Sequence, residues 1–199
     1  MPPVPASTPA DDSLERIATE IAACRACGLC ASRRNTVPGE GPARCDLVFV
    51  GEGPGADEDA SGRPFVGAAG ALLDSMIKAM GLARGEVFIA NVLKCRPPGN
   101  RTPEPAEMAA CLGYLHRQLA LLRPRVVCTL GNTPLRALTG DLGLGITSQR
   151  GKVLRYGATP LLPTFHPAYL LRNPQAKKLA WEDLKQVLGL LGRPVPGRS

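Results

Sequence analysis

The chain has 199 residues, 44% of them hydrophobic, enough for one well-buried core with little left for a second. Its 24 Lys and Arg against 17 Asp and Glu give a formal charge of +7, which favours a polyanionic partner because each neutralised phosphate releases condensed counterions. No secretory leader pattern and no apolar run of about 18 residues occurs, which argues against a membrane protein, and only 4% aromatic content argues against a base-stacking platform of the single-strand-binding type.

In chain order, residues 1–12 are Pro- and Ala-rich, cannot form a packed element and are expected to be a disordered tail. A single domain is expected over 13–193, followed by a flexible terminus at 194–199. Leu14, Ile17 and Ile21 recur at helical spacing behind Asp12 and Ser13, which predicts a capped helix over 14–23. Four apolar runs, 46–50, 87–90, 125–130 and 159–164, predict buried strands. Helical patterns at 66–80, 105–122, 133–138 and 175–191 fill the gaps, with Thr102 as a candidate cap for the second. The stretch 148–157 suggests an added basic hairpin. Strand–helix alternation predicts an α/β fold: a three-layer single domain with a central, mainly parallel four-stranded sheet flanked by helices. Each run ends in a loop rich in Gly, Pro, Asn or His, and the carboxyl ends of parallel strands share one crevice, so these loops are expected to form one site.

Seven cysteines without a secretory pattern point to metal binding rather than disulfides. Cys24 and Cys27 form one pair; Cys95 and Cys111 form another, far along the chain. Four thiolates suffice for a tetrahedral zinc or a four-iron cluster. Cys30 extends the first pair to a ferredoxin-like run but lacks the continuation; it reads as a packing residue, with ligation as the alternative. Cys45 and Cys128 fall in strand patterns and read as core.

Gly51-Glu-Gly-Pro-Gly-Ala56 has dinucleotide-fingerprint spacing. That fingerprint needs a helix to begin at once and an acidic residue at the end of the next strand. An acidic loop is expected over 57–64 instead, so the glycines read as giving close main-chain approach to a flat ligand, with Glu52 beside it. His116 lies in a helical pattern and reads as structural. His166 follows a strand and is held by Pro167, where it can donate a hydrogen bond to a developing anion. Asn91, at a strand end, has the donor and acceptor to match an amide-like edge. A zinc-containing nucleic-acid-binding module and a nucleotide-dependent oxidoreductase are the competing readings.

Several segments occur together in family order across 14–190: Cys24-x-x-Cys27, Val37-Pro-Gly-Glu-Gly41, Gly51-Glu-Gly-Pro-Gly55, Gly62-Arg-Pro-Phe-Val-Gly-x-Ala-Gly70, Asn91-Val-x-Lys-Cys-Arg-Pro-Pro-Gly-Asn-Arg-x-Pro103, Leu130-Gly131 and His166-Pro-Ala-Tyr-Leu-Leu-Arg172. In this combination the chain resembles the iron–sulfur, family-four uracil-DNA glycosylases. A related covalent-trapping branch would carry a histidine in an Arg-rich insert after Cys95, and none is present.

The resemblance implies a [4Fe-4S] cluster on Cys24, Cys27, Cys95 and Cys111. It also implies excision of uracil from double- or single-stranded DNA by base flipping, leaving an abasic site, by a monomer located in the cytoplasm with the nucleoid. It places Gly51, Glu52 and Gly53 along the uracil pocket, Phe65 against the base, Asn91 on its amide edge and His166 on the oxygen that gains charge. Glu52, His166 and Asn100 become the catalytic candidates, and Glu58 a specificity residue where a thymine methyl would sit. The loop 169–172 is a candidate minor-groove wedge, the alternative being a buried helix start.

Overall fold

Parallel strands covered by helices on both faces have to be apolar throughout, and this sequence pattern sets the architecture. A computed structural model of the protein describes residues 11–197. Strands β1 (Leu47–Gly51), β2 (Phe88–Asn91) and β3 (Val126–Leu130) are buried at every position. Together with β4 (Leu154–Tyr156) and β5 (Thr159–Thr164) they form one sheet in the order β2-β1-β3-β5-β4. Every pairing is parallel except β4 with β5. The sheet thus has five strands where four were expected. The stretch 148–157 does not form a hairpin by itself: it supplies one short edge strand, β4, which turns back antiparallel on β5 and whose exposed Arg155 discourages further pairing. At the opposite edge Glu40 exchanges two main-chain hydrogen bonds with Ile89 of β2, at 2.9 and 2.8 Å.

Side chains alternate across the sheet. Leu47, Phe49, Cys128, Leu130 and Leu162 pack with helices α3 (Ala68–Ala79) and α8 (Lys177–Leu191). Val48, Val50, Val127 and Leu161 pack with α4 (Pro105–Leu122) and α5 (Asn132–Thr139) on the other face. Each fully buried Leu, Ile or Phe contributes about 1.5–3 kcal/mol of transfer free energy.

At the amino end, α1 (Leu14–Ala23) is capped by Ser13, whose Oγ accepts from Arg16 N at 3.1 Å, and it buries Ile17 and Ile21. Arg117 of α4 ties this helix down through Glu20 and through Asp12, 2.7 Å away. Asp12, which the sequence reading assigned to the loose tail, therefore has its carboxylate buried. Residues 1–10 of that expected tail and the last two residues of the expected flexible terminus lie outside the described residues, whereas Asp11 is described and pairs with Arg16.

Two local expectations are corrected. Helix α4 starts behind Glu104 rather than Thr102: Pro105 fixes the first helical position, and the Glu107 carboxylate reaches back to Glu104 N at 2.8 Å. The acidic stretch after Gly55 is a short helix, α2 (Ala56–Ser61), not a loop. Glu58 accepts from Gly55 N at 3.0 Å and three acids sit in its first turn, favourably placed against the helix dipole. The second dinucleotide requirement remains unmet, since β2 ends in Asn91. Two further short helices, α6 (Ile146–Gln149) and α7 (Pro167–Arg172), flank the carboxyl edge of the sheet.

From β1 the chain runs to β2 on one side, and α4 then carries it across to β3 on the other. Such a reversal opens a crevice at the carboxyl ends of β1 and β3.

Candidate active site

A cleft of about 780 Å³ occupies that crevice. Its walls come from the turn after β1, the turn after β2, the N-terminus of α5 and the β5–α7 junction. Glu52, Gly53, Glu58, Phe65, Asn91, Asn100 and His166 all line it. Gly51, expected along the pocket, is not itself in the lining but packs beneath two lining side chains: a Cβ there would lie 2.4 Å from Asn91 Oδ1 and 2.6 Å from Phe65 Cζ, closer than atoms tolerate. The glycine therefore lets the main chain come up against both side chains.

Phe65 and His166 face each other with ring centroids 5.6 Å apart and planes tilted by 34°. Asn91 is only 1% exposed, and its Oδ1 is a buried acceptor with no hydrogen-bond partner among the described residues. Native interiors rarely leave such an atom unpaired, because each costs about 1–3 kcal/mol. An unpartnered acceptor beside an aromatic face suits the N–H of a planar ring ligand.

His166 occupies the N-cap of α7, and its Nδ1 accepts from Ala168 N at 3.1 Å. An accepting Nδ1 leaves the ring proton on Nε2, so the ring offers a donor on its other side. Desolvation, reinforced by Arg172 and opposed by Glu58, pulls the imidazole down to about 4. The side chain is thus neutral at ordinary pH, a donor without a charge of its own.

Glu52 is half-buried and accepts a hydrogen bond from Thr133 Oγ1 at the start of α5. Asn100 stands on the exposed rim in a left-handed conformation, φ 56°, with Oδ1 accepting from Arg96 Nε at 2.8 Å. Glu58 accepts from Val66 N at 2.9 Å, Gly67 N at 3.1 Å and Gly55 N, so its carboxylate joins the two sides of the cleft wall. In α7, Leu170 is buried while Tyr169 and Leu171 are exposed. The segment is thus a helix start that buries Leu170 and leaves Tyr169 and Leu171 on the surface.

The cysteine pairs converge behind the cleft. Cys24, Cys27, Cys95 and Cys111 border one small enclosure, with Cys30, Arg33, Lys94 and Tyr114 around them. Arg33 Nη1 donates to Cys95 Sγ and Lys94 N to Cys111 Sγ, each at 3.2 Å. Burial drives the Cys111 thiol up to about 11 despite the opposing Lys94. Among the described residues, no three His, Cys, Asp or Glu side chains are grouped closely enough to hold a single metal ion. The donor set is all-thiolate and drawn from chain-distant segments, a chemistry that suits a four-iron cluster or a tetrahedral zinc.

The family model for the uracil DNA glycosylase superfamily matches residues 38–185. The type-4 uracil-DNA glycosylase of Sulfurisphaera tokodaii is 46% identical over 191 residues, covering 92% of this chain and 87% of the relative. Those of Archaeoglobus fulgidus and Thermotoga maritima are 43% and 42% identical, covering 93% and 88% of this chain and 96% and 93% of theirs. The chain belongs to the uracil DNA glycosylase superfamily. Within it, these relatives place it in the type-4 branch.

Three features of this glycosylase were not singled out in the sequence, although Lys94 lies within one of its motifs. Thr133 holds Glu52, although the Gly-Asn-Thr-Pro turn signalled only a loop. Lys94 is completely buried and donates to Asn91 O at 2.9 Å and Gln118 Oε1 at 2.8 Å; desolvation pulls it down to about 8 against the attraction of Cys111. Gln118 in turn donates to Pro38 O at 2.7 Å. Arg84 grips the main chain at Pro64 and Phe65. Among the described residues no helix is long and apolar enough to cross a membrane.

Proposed function

We propose that this chain excises uracil from DNA by hydrolysing the N-glycosidic bond of an everted nucleotide. The observation that carries the reading is the convergence of Phe65, Asn91 and His166 on one cleft, with Asn91 Oδ1 unpartnered. A base within a duplex is shielded, so the nucleotide swings out at a cost of about a few kcal/mol, less where the uracil is mispaired. Phe65 receives the flat ring and Asn91 Oδ1 accepts from its N3–H. Glu58, fixed by three main-chain donors, narrows the wall where a 5-methyl group would sit.

As the C1′–N1 bond breaks, its electron pair passes to the uracil and positive charge builds on the sugar. The Nε2–H of His166 donates to the uracil oxygen that takes up the negative charge, an effect of about 3 kcal/mol for a well-placed donor. A neutral donor is suited to this, because its proton stays put while charge arrives. Glu52, steadied by Thr133, supports the cationic sugar and orients the water that adds to C1′; Asn100 assists from the rim. Tyr169 and Leu171 present apolar groups that can fill the gap left by the flipped base.

Cys24, Cys27, Cys95 and Cys111 would hold a [4Fe-4S] cluster whose contribution is structural, joining the α1 segment to the 95–111 loop. The enzyme would act as a monomer in the cell interior, on single- or double-stranded DNA. The test is strand scission after alkali treatment of oligonucleotides carrying U·G, U·A, single-stranded U or T·G. Release from the three uracil substrates and none from T·G is expected. No release from any uracil substrate would refute the reading.

A further inference from the structure

The aromatic wall of the cleft is built on a strained residue. Phe65 has φ 51°, a left-handed conformation that is an outlier for a bulky side chain and persists only where its surroundings impose it. Those surroundings are well defined. Arg84, in the turn before β2, donates from Nη2 to Pro64 O at 2.5 Å and from Nη1 to Phe65 O at 3.1 Å. Its guanidinium is itself fixed by Asp74 Oδ1 at 2.7 Å and Glu40 Oε1 at 3.4 Å. On the amide side, Glu58 takes the N–H groups of Val66 and Gly67. From behind, Gly70 comes so close that a Cβ there would lie 2.0 Å from Phe65 O. The segment 64–67 is held by a cation on its carbonyls, an anion on its amides and a backbone pressed against its back.

Arg84 is not among the residues lining the cleft, so its route to a base seated there is through the segment it holds. We propose that Arg84 is a positioning residue: its fork on the Pro64 and Phe65 carbonyls holds the strained main chain that sets the Phe65 ring opposite His166. A planar guanidinium can bond two carbonyls and two carboxylates at once, which an ammonium cannot do with the same geometry. The inference rests on the reading of Phe65 as the surface that receives uracil.

Three readouts, taken well below the melting temperature, test it: affinity for free uracil by calorimetry, single-turnover excision from a U·G duplex, and affinity for a duplex carrying a non-cleavable abasic analogue. Arg84→Ala should weaken uracil binding about 10-fold and slow excision by about 10- to 100-fold, as expected for a misplaced binding surface, while duplex affinity stays within about twofold. Arg84→Lys should fall in between. In a Phe65→Ala background, Arg84→Ala should change excision by less than about twofold, because the two residues act as a unit.

If Arg84→Ala does not fold, Arg84→Lys and Asp74→Asn carry the test, and both should show smaller losses in the same two readouts. Wild-type uracil affinity and turnover in the Arg84 variants, or effects of Arg84→Ala and Phe65→Ala that multiply, would overturn the proposal. A Phe65→Ala enzyme with wild-type uracil affinity would instead sink the site reading beneath it, so the two failures are distinguishable.

Discussion

Lys94 Nζ lies 2.9 Å from the main-chain oxygen of Asn91, so a completely buried cation that borders the same enclosure as the Cys95 and Cys111 thiols is bonded to the residue proposed to read the base. Its other partner is Gln118 of α4, so the turn after β2 and α4 meet at one ammonium. Buried charges persist only where their hydrogen bonds are met, and here two acceptors meet them. One buried side chain therefore ties the Asn91 main chain to the helix that carries Cys111.

Lys94→Met should consequently hurt both stability and activity. The substitution keeps the apolar stem but leaves Asn91 O and Gln118 Oε1 without a donor, at about 1–3 kcal/mol each. Urea unfolding should show a lower midpoint, and excision should fall in the folded fraction because the Asn91 main chain is released. A variant with a lower midpoint and undiminished excision would mean that Lys94 serves the fold alone.

Gly51→Ala asks whether the packing beneath the cleft lining matters. The added methyl would meet Asn91 Oδ1 at 2.4 Å and the Phe65 ring at 2.6 to 2.8 Å, so at least one of the two must move. Displacing a positioning group by about 1 Å can cost about 100-fold in rate. Uracil excision should drop by that order while circular dichroism and duplex binding change little. Wild-type turnover in Gly51→Ala would place the reacting base elsewhere.

These residues also show what the chain discloses on its own. Buried parallel strands are continuous apolar runs, so β1, β2, β3 and β5 and the loops that follow them were legible, and with them Gly51, Asn91 and His166. The edge strand β4 was visible only as a hairpin region, because a half-exposed three-residue strand has too little period to read. Helix α2 was missed because what starts it, Glu58 reaching back to Gly55 N, is a side-chain contact with no apolar pattern. Arg84, Thr133 and Lys94 act on main chain or on side chains 19 to 81 positions away, or from complete burial, and composition leaves no trace of such partners. Glu58 was singled out for what it might exclude; its three bonds to main-chain N–H groups emerge only from the folded loop.

Metal analysis separates the two thiolate chemistries. The purified protein should be brown, with broad visible absorption and about four irons and four sulfides per chain, whereas a zinc protein would be colourless. Cys111→Ser should lose the colour and lower the melting temperature, because joining α1 to the 95–111 loop contributes folding free energy. Cys30→Ser should keep both, although Cys30 borders the same enclosure. Bound zinc in place of iron would refute the cluster, and loss of colour in Cys30→Ser would revise the ligand set.

The His166 environment makes a prediction about pH whose sign follows from its burial and from Arg172. Its folded-state value is pulled down to about 4 by burial and Arg172, below the usual 6.5. Between those values the unfolded chain binds the extra proton and the native chain does not, so stability rises with pH across the window. This contribution is complete above about pH 6.5 and is lost as pH falls through 6.5 toward about 4. His116, buried against Tyr156 and also lowered by desolvation, acts in the same direction. The comparison that isolates His166 is therefore wild type against His166→Asn, whose melting temperature should fall less steeply between pH 6.5 and 4. The same variant should excise uracil about 100- to 1,000-fold more slowly at pH 7, the typical cost of removing one donor to a developing anion. In the wild type, no loss of excision attributable to this group should appear as pH falls from 7 to 5, since the neutral ring already predominates. A wild-type excision profile that falls with a midpoint near 6.5, and flattens in His166→Asn, would show that the ring titrates freely and is not held as the neutral donor that the Ala168 hydrogen bond implies.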